Sequence, residues 1–273
     1  MHPSAGHASG TLVNAVLFHC RLPAMKFISG RQRQKHAHED DEDAAMFDQD
    51  AVVLAKSVDG PNALRPSAQS IADVTRPGIV HRLDKGTTGL IVVAKDALTH
   101  SGLCEQFAAR TVRRRYLAIV LGTPDPVEGR VHAPIGRDPR DRLRMAVVHG
   151  NGGKQATSNY SVRASIAGGN VALLEWRLET GRTHQIRVHS REIGHPIIGD
   201  NIYGGIGRSA AEQVHRRGAM RLDKAQAIVD KCKRPMLHAR TLGFQHPITG
   251  EQLDFVVDPP DDFASAYASL NGE

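Results

Sequence analysis

Residues 76–95 read RPGIVHRLDKGTTGLIVVAK, and within 81–89 one carboxylate, that of Asp84, lies among three potential cations. Such surroundings keep an acid ionised. If the segment is extended, Arg82 and Asp84 project to the same side, whereas Leu83 points the other way, toward packing. Two glycines follow and permit a tight turn and the close approach of a bulky ligand. Spacing alone leaves two interpretations open: a functional carboxylate, or a surface turn in which Asp84 forms a salt bridge.

The pattern of apolar residues around this segment predicts the secondary structure. Gly89–Ala94 is a β-branched run bounded by Gly and Lys, which suits a short buried strand. Farther along the chain we predict helices at 97–110, 183–193 and 210–231, and strands at 114–121, 129–135, 156–166, 171–179, 237–244 and 252–257. Many strands with few helices indicate an α+β protein built on a sheet.

The chain before this segment divides into two parts of different composition. Residues 11–20 have apolar side chains spaced for a short amphipathic helix. Residues 29–75 are polar, charged and Pro-containing, and such a composition cannot bury much surface. We therefore predict an N-terminal part of the main domain at 1–28, a low-order acidic insertion at 29–75, and the rest of the main domain at 76–273.

The overall composition is that of an ordinary globular protein. The 273 residues are 40% apolar and 23% charged, which is enough for one large domain with a core or for two small ones. No run of about 18 apolar residues occurs, and the N-terminus lacks a secretory pattern. We therefore expect an intracellular protein that does not associate with membranes.

The charge balance favours an anionic partner. Lys and Arg number 35 against 29 acidic residues, the pI is about 9.4, and nucleic acid is the common partner of such a chain. An acidic run at 39–43 leaves the remainder still more basic. The basic clusters lie at 113–115, 137–144, 182–191 and 216–217.

The three cysteines are far apart and odd in number, so we read them as reduced thiols.

A second candidate for chemistry is the segment 179–189, which reads ETGRTHQIRVH. It resembles a strand end, a glycine turn and a helix that Thr183 could cap. Helix N-termini bind anions, and Arg182 would lie at this one with Arg187 behind it, which suits phosphate or carboxylate. The alternative is that Arg187 belongs to an ordinary solvated helix face.

Tyr116 follows three arginines, Arg113, Arg114 and Arg115, at the start of a predicted strand. An aromatic ring beside guanidinium groups can stack on a nucleobase, although a tyrosine in an alternating strand also suits half-buried packing.

The sequence contains no recognised metal or cofactor motif. A His-Ala-His pair at 36–38 has no recognised ligand spacing, and neither a Walker loop nor a dinucleotide fingerprint occurs, so no metal site and no cofactor are predicted.

Several long motifs in fixed order resemble those of the RluA/RluD-like pseudouridine synthases. The resemblance covers about residues 2–28 and 76–260. Its motifs are the Asp84 segment at 76–95, a tyrosine strand at 115–122, an arginine motif at 178–189, and the segments GHPIIGDNIYG at 194–204 and LHARTLGFQHPITGE at 237–251. Family members usually carry a strand ahead of His2-Pro3, so the N-terminal part is expected to be truncated and the sheet to lack one edge.

The resemblance implies a fold and a role for each catalytic residue. The fold would be α+β, with a mixed, mainly antiparallel bent sheet, flanking helices and a catalytic cleft. Asp84 would be the nucleophile or base, Tyr116 would pack on the target base, and Arg182 would pair with Asp84. Arg82 would fill the base stack when uridine flips out. The residues expected to contact RNA are Arg82, Lys85, Arg113, Arg114, Arg115, His184, Gln185 and Arg187.

The expected activity is isomerisation of uridine to pseudouridine in RNA, a reaction that needs no cofactor. We expect the substrate to be rRNA rather than tRNA, and the protein to be a monomer of the cytoplasm or an organelle. Two alternatives remain at this point. One is a non-catalytic RNA-binding relative, which would bind uridine-rich RNA without forming product. The other is a glycosidic hydrolase with Asp84 as base, which would release free uracil.

Overall fold

The computed structural model describes residues 78–142, 144–216 and 220–272, together with Ala15. Apart from Ala15, the predicted helix at 11–20 and the predicted insertion at 29–75 lie outside the described residues. The three-part division of the chain therefore stays a prediction.

The chain forms two compact units. The first comprises Met1–Arg82, Val92–Thr111 and His246–Glu251, and its described helix is α1 (Ala97–Ala108). Within this unit the imidazole of His81 is buried, accepts a hydrogen bond from the Val92 N–H at 3.0 Å, and stacks on the Phe107 ring with centroids 4.8 Å apart. A histidine that follows two apolar residues in the sequence is thus a core residue of this unit.

The second unit comprises Leu83–Ile91, Val112–Gln245 and Gln252–Glu273 and contains the main sheet. The strands of this sheet lie in the order β1-β8-β2-β7-β6-β3. Strand β9 pairs with the edge of β8 that faces away from β2, farther along the strand than β1 does. Its bounds are β1 (Thr88–Gly89), β2 (Arg113–Leu121), β3 (Glu128–His132), β6 (Thr157–Ile166), β7 (Val171–Leu178), β8 (Leu237–Gln245) and β9 (Gln252–Val256). All pairs are antiparallel except β1 with β8, which confirms the predicted α+β fold with a mixed, mainly antiparallel sheet.

Outside the main sheet, the described residues of the second unit form a small hairpin, four α-helices and two short 3-10 helices, Gly150–Gly152 and Ala167–Gly169. The hairpin joins β4 (Ile135–Arg137) to β5 (Met145–Val147). The α-helices are α2 (Gln185–Glu192), α3 (Gly207–His215), α4 (Leu222–Lys231) and α5 (Asp261–Asn271).

The core of the second unit surrounds β2. This strand is hydrogen-bonded on both sides, to β7 and β8, and every residue from Tyr116 to Leu121 is buried. Central strands covered on both faces read as continuous apolar runs, which is the pattern of LAIVL in the sequence. On β7, by contrast, Leu174 and Trp176 are fully buried while Arg177 is exposed.

The predicted buried strand at 89–94 is wrong. Only Thr88 and Gly89 pair with β8, and the Leu90 N–H still donates to the Ala239 carbonyl at 3.0 Å. Gly89 has φ of 111°, and a Cβ there would lie 2.2 Å from the Ala239 oxygen. Because only glycine fits this close approach, the backbone leaves the sheet here instead of continuing as a strand.

Two further element predictions are corrected in extent. The predicted helix at 210–231 is two helices, α3 and α4, because Arg216 and Arg221 have extended backbone angles. The predicted strand at 129–135 ends at His132, and Ile135 belongs to the separate hairpin sheet. Pro134 lies between them and cannot donate to a ladder, which accounts for the interruption.

Candidate active site

Asp84 occupies the first position of a tight turn, and Arg234, which precedes β8, holds the backbone of this turn by a hydrogen bond. The Thr87 N–H donates to the Asp84 carbonyl at 3.0 Å, which closes the turn. The Arg234 Nη1 donates to the Gly86 carbonyl at 3.1 Å, and also to the carbonyls of Pro235 and Leu237. Gly86 has φ of 86°, a left-handed conformation that glycine adopts readily. The Asp84 side chain is 19% exposed, so it is held in place yet still accessible.

Arg187 of α2 is a cation close to this carboxylate. Its Nη1 lies 4.0 Å from Asp84 Oδ2, and its side chain is only 3% exposed. The same guanidinium forms a fork with Asp200, with Nε to Oδ2 at 2.7 Å and Nη2 to Oδ1 at 2.9 Å. Burial disfavours the charge of Arg187, but the hydrogen bonds and negative charge of Asp200 outweigh it and raise its pKa. Arg187 is therefore a permanent cation beside Asp84.

Asp200 and Tyr203 complete the surroundings of Arg187. Asp200 is fully buried, and its Oδ1 also accepts the N–H groups of Ile202 at 3.0 Å and Tyr203 at 3.1 Å. The Tyr203 ring lies under the guanidinium, 5.0 Å from Cζ to the ring centroid, which is cation–π distance. Burial raises the pKa of Tyr203 to about 12, so its hydroxyl stays protonated at neutral pH.

The Tyr203 hydroxyl joins α2 to the small hairpin. It accepts the Met145 N–H at 3.0 Å and hydrogen-bonds His184 Nδ1 at 2.9 Å. His184 has φ of 56°, a left-handed conformation that costs a non-glycine residue on the order of 1 kcal/mol. The surrounding hydrogen bonds hold His184 in this conformation at the start of α2.

Tyr116 lies in β2, opposite Ala239 of β8 and Trp176 of β7. It is 7% exposed. Burial raises the pKa of its hydroxyl, Arg114 opposes this effect, and the negative charge of Asp84 adds to it. The structure thus brings Tyr116 and Asp84 into one site, where a largely buried aromatic ring lies within electrostatic range of a carboxylate.

Arg182 donates through Nε to the Gln155 carbonyl at 3.0 Å, and its expected pairing with Asp84 stays a prediction. The structure places a different arginine, Arg187, 4.0 Å from Asp84 Oδ2. The expectation that Arg187 contacts RNA, or lies on a solvated helix face, is corrected, since Gln185–Ser190 are all buried. Spacing could not distinguish these arginines because the orientation of α2 is set by its burial in the core.

The helix start also differs from the prediction. Thr183 does not cap α2, which begins after His184 without a side-chain cap. Instead, Gln185 Oε1 accepts hydrogen bonds from the Arg182 N–H at 2.9 Å and from the Thr180 hydroxyl at 2.8 Å. Gln185 is buried, and its amide donates to the Thr157 carbonyl and the Ser158 hydroxyl. Gln185 therefore supports the loop from inside, which corrects its expected contact with RNA.

The other predicted RNA contacts are distributed over the surface. Arg82, in the first unit, and Lys85, in the second, are both exposed. Arg113 and Arg115 are exposed but form ion pairs, with Asp254 at 2.6 Å and with Glu175 at 3.2 Å. Arg114 is half-buried, and its Nη1 would lie 3.0 Å from a Cβ at Gly181. The three arginines thus alternate across β2 and do not form one continuous phosphate-binding row.

Asp200 and Tyr203 are the site residues that spacing and charge did not single out. Both lie in the glycine-rich motif at 194–204, which attracted notice only through its resemblance to a family. The usable signal was an aspartate two residues after the apolar pair Ile197-Ile198, because a carboxylate at the end of a buried segment needs a buried cation.

The described residues contain neither a metal-binding cluster nor a membrane-spanning helix. No group of three or more His, Cys, Asp or Glu residues in that part of the chain could hold a metal ion. None of the helices described is long and apolar enough to cross a membrane.

The same fold occurs in two solved human structures. "Human RNA Pseudouridylate Synthase Domain Containing 4" is 30% identical with a TM-score of 0.53, over 70% of this chain and 75% of that one. "Human RNA Pseudouridylate Synthase Domain Containing 1" is 26% identical with a TM-score of 0.52, over 67% of this chain and 69% of that one. Fold and site together define a protein of the pseudouridylate synthase class.

The sequence comparisons give the family. A model described as "RNA pseudouridylate synthase" matches residues 55–192, and the chain belongs to that family, in its RluA group. Over 99% of its length the chain is 44% identical to "RNA pseudouridine synthase 2, chloroplastic" of Arabidopsis thaliana and 42% identical to the rice protein of that name. It is 37% identical to "Ribosomal large subunit pseudouridine synthase D" of Zymomonas mobilis, covering 66% of that protein. The chain spans 60% of the length of the two plant relatives.

Proposed function

We propose that this protein isomerises uridine to pseudouridine in RNA, with Asp84 as the nucleophile or base. The observation that carries the proposal is the position of Asp84, accessible in a fixed turn and 4.0 Å from the buried cation Arg187. Membership of the RNA pseudouridylate synthase family supports the same reaction.

The reaction requires from the protein a carboxylate and a site that holds the uridine in position. The bond between uracil N1 and ribose C1′ breaks, the base rotates, and C5 bonds to C1′ with no net redox change and no hydrolysis. Asp84 would attack C1′ or C6, or remove the C2′ proton. Arg187 would place a positive charge beside this carboxylate, and the Tyr116 ring would hold the detached base during rotation.

Access to a paired uridine requires that the nucleotide leave the helix. Arg82, two residues before Asp84 in the chain, is the residue that we propose to fill the vacated stack. Arg137, Arg140 and Arg142 of the β4–β5 hairpin are exposed and would contact phosphates. Lys85 is exposed as well and would act beside them.

The substrate, partner and location follow from the relatives' names. The Zymomonas mobilis relative is named for the ribosomal large subunit, so we propose rRNA as the substrate in preference to tRNA. The plant relatives are named chloroplastic, which supports an organellar location, and the cytoplasm is the alternative that we propose. We propose further that the protein acts on RNA as a monomer, away from membranes.

The proposal is tested by comparing the wild-type protein with Asp84→Asn on a large-subunit rRNA transcript. Product nucleosides are separated after digestion, and RNA affinity is measured by filter binding. We expect pseudouridine with the wild type, none with Asp84→Asn, and similar RNA affinity for both, because the carboxylate acts in chemistry and not in phosphate binding. Asp96→Asn removes an exposed helix-capping carboxylate and serves as the control that keeps activity.

Three outcomes would contradict the proposal. Full activity of Asp84→Asn would remove the carboxylate from the mechanism. RNA binding by the wild type without product would indicate a non-catalytic relative. Release of free uracil would indicate hydrolysis of the glycosidic bond.

A further inference from the structure

Arg187 lies between two carboxylates of very different exposure. Asp84 is 19% exposed and faces the substrate side, whereas Asp200 is fully buried. The guanidinium donates from Nε to Asp200 Oδ2 at 2.7 Å and from Nη2 to Asp200 Oδ1 at 2.9 Å. Its Nη1 lies 4.0 Å from Asp84 Oδ2. The cation is therefore bound tightly to the carboxylate that cannot react and loosely to the one that can.

This unequal division follows from how Asp200 is held. Its Oδ1 accepts two backbone N–H groups, from Ile202 and Tyr203, in addition to the Arg187 Nη2. A buried carboxylate with this many donors has a fixed orientation. Because a guanidinium is planar, fixing two of its nitrogens fixes the third, and the Tyr203 ring under it prevents tilting.

Without Asp200, the geometry of Arg187 would change in a definite direction. Asp84 would remain as a carboxylate close to the guanidinium, and arginine forms bidentate pairs with carboxylates when geometry allows. A bidentate pair would occupy both oxygens of Asp84, so neither would be available to a ribose carbon, a base carbon or a proton.

We propose that Asp200 is a positioning residue for the isomerisation, an inference that rests on the function proposed above. Asp200 holds Arg187 in the one orientation that keeps a positive charge beside Asp84 without chelating its carboxylate. Tyr203 assists by supporting the face of the guanidinium. Asp200 itself touches neither substrate nor the reacting atoms.

The test is the single-turnover reaction of Asp200→Asn with a uridine-containing rRNA transcript. Asparagine keeps the shape, and its Oδ1 can still accept the Ile202 and Tyr203 N–H groups. We expect the rate constant of product formation to fall at least about tenfold with the reaction amplitude and the KM for RNA unchanged, because only the chemical step is affected. Asp223→Asn breaks a fork of the same kind, with Arg221 at 3.0 Å on the surface, and should leave the rate unchanged.

Amplitude separates positioning from a merely structural role. If Asp200 only stabilises the fold, Asp200→Asn lowers the amplitude, as part of the protein is inactive, and leaves the rate constant at the wild-type value. That result would overturn the inference. If Asp200→Asn does not fold, Arg187→Lys is the second variant. Lysine keeps the charge but cannot make the fork, so the rate should again fall, and an unchanged rate would overturn the inference.

A spectroscopic measurement tests the arrangement without turnover. In the wild-type protein the Arg187 Nε–H, bonded to Asp200, should exchange slowly with solvent in nitrogen-15 NMR spectra. Slow exchange should persist in Asp84→Asn and be lost in Asp200→Asn; fast exchange in the wild type would overturn the inference. Wild-type protein that forms no pseudouridine would overturn the proposed function and this role with it, whereas wild-type product with an unchanged Asp200→Asn rate overturns the role of Asp200 alone.

Discussion

The Tyr116 hydroxyl is kept in its protonated form by its surroundings. Burial is the main cause of its raised pKa, and the charge of Asp84 acts in the same direction, while Arg114 acts against both. A tyrosine that stays protonated at neutral pH can donate a hydrogen bond or a proton, but it cannot act as a phenolate base. Tyr116 is therefore suited to hold a base and to donate to it.

Replacing Tyr116 by Phe separates these two contributions. The ring stays in place, so we expect RNA affinity and the free energy of unfolding to change little. If the hydroxyl donates to the rotating base, kcat should fall by roughly tenfold to a hundredfold. Tyr160→Phe, which removes a hydroxyl bonded to the Pro126 carbonyl, is the control. Steady-state kinetics with unchanged kcat for Tyr116→Phe would reduce Tyr116 to a packing residue.

Individual site residues differ in how far the sequence reveals them. Asp84 could be singled out because its cationic neighbours lie within a few positions along the chain. Its actual partner, Arg187, is more than a hundred residues away, and so is Asp200. Which of two arginines in the motif at 178–189 points toward Asp84 depends on the rotation of α2, and that is fixed by packing that no local pattern encodes.

The turn at 84–87 depends on an arginine that no sequence motif suggested. Arg234, just before β8, donates to the Gly86 carbonyl, and its Nε and Nη2 each bond Asp262 of α5 at 2.7 Å. A C-terminal helix thus helps to fix the turn that carries the candidate nucleophile.

Arg234→Met keeps the apolar stem and removes these hydrogen bonds. Buried carbonyls would lose their donor, so we expect the free energy of unfolding to fall by roughly 2 kcal/mol. Activity should fall as well, because the turn at Gly86 loses its anchor. Urea titration and pseudouridine formation are the measurements. Arg221→Met, which breaks an exposed fork, should change neither, and equal behaviour of the two variants would contradict this role for Arg234.

The elements that were predicted correctly have strong local periodicity. Residues 97–110 and 171–179 were assigned close to their observed bounds because side-chain spacing alone decides such segments. The run at 89–94 has strand composition but leaves the sheet, since Gly89 meets the backbone of Ala239. That contact joins residues far apart in sequence, so no window along the chain could show it.

The described part of the molecule carries a group of exposed arginines on the β4–β5 hairpin. The charges of Arg113 and Arg115 are compensated by acidic partners on the sheet surface, and the charge of Arg187 is compensated by the buried Asp200. In the β4–β5 hairpin, Asp138 binds Arg144 at 2.7 Å, while Arg137, Arg140 and Arg142 are exposed. Met145, the first residue of β5, donates its N–H to the Tyr203 hydroxyl. An RNA-binding surface on this hairpin would therefore be joined directly to the site.

This arrangement predicts the salt dependence of RNA binding. Replacing Arg137, Arg140 and Arg142 by Gln should weaken binding and reduce the slope of log affinity against log salt by about 2, because each phosphate contact releases a counterion. The rate constant at saturating RNA should stay unchanged. A control with Arg208, Arg221 and Lys224 replaced by Gln lowers the net charge equally. Equal slopes for the two triple variants would remove the hairpin from the RNA-binding surface.

The burial of Gln185–Ser190 in α2 has a consequence for how the protein responds to heat. In many enzymes the reactive groups lie on loops that loosen before the rest of the fold, so activity is lost at a lower temperature than structure. Here the cation beside Asp84 projects from a helix that is part of the core. Thermal inactivation should therefore coincide with cooperative melting, and the protein should retain its catalytic competence until the whole second unit unfolds.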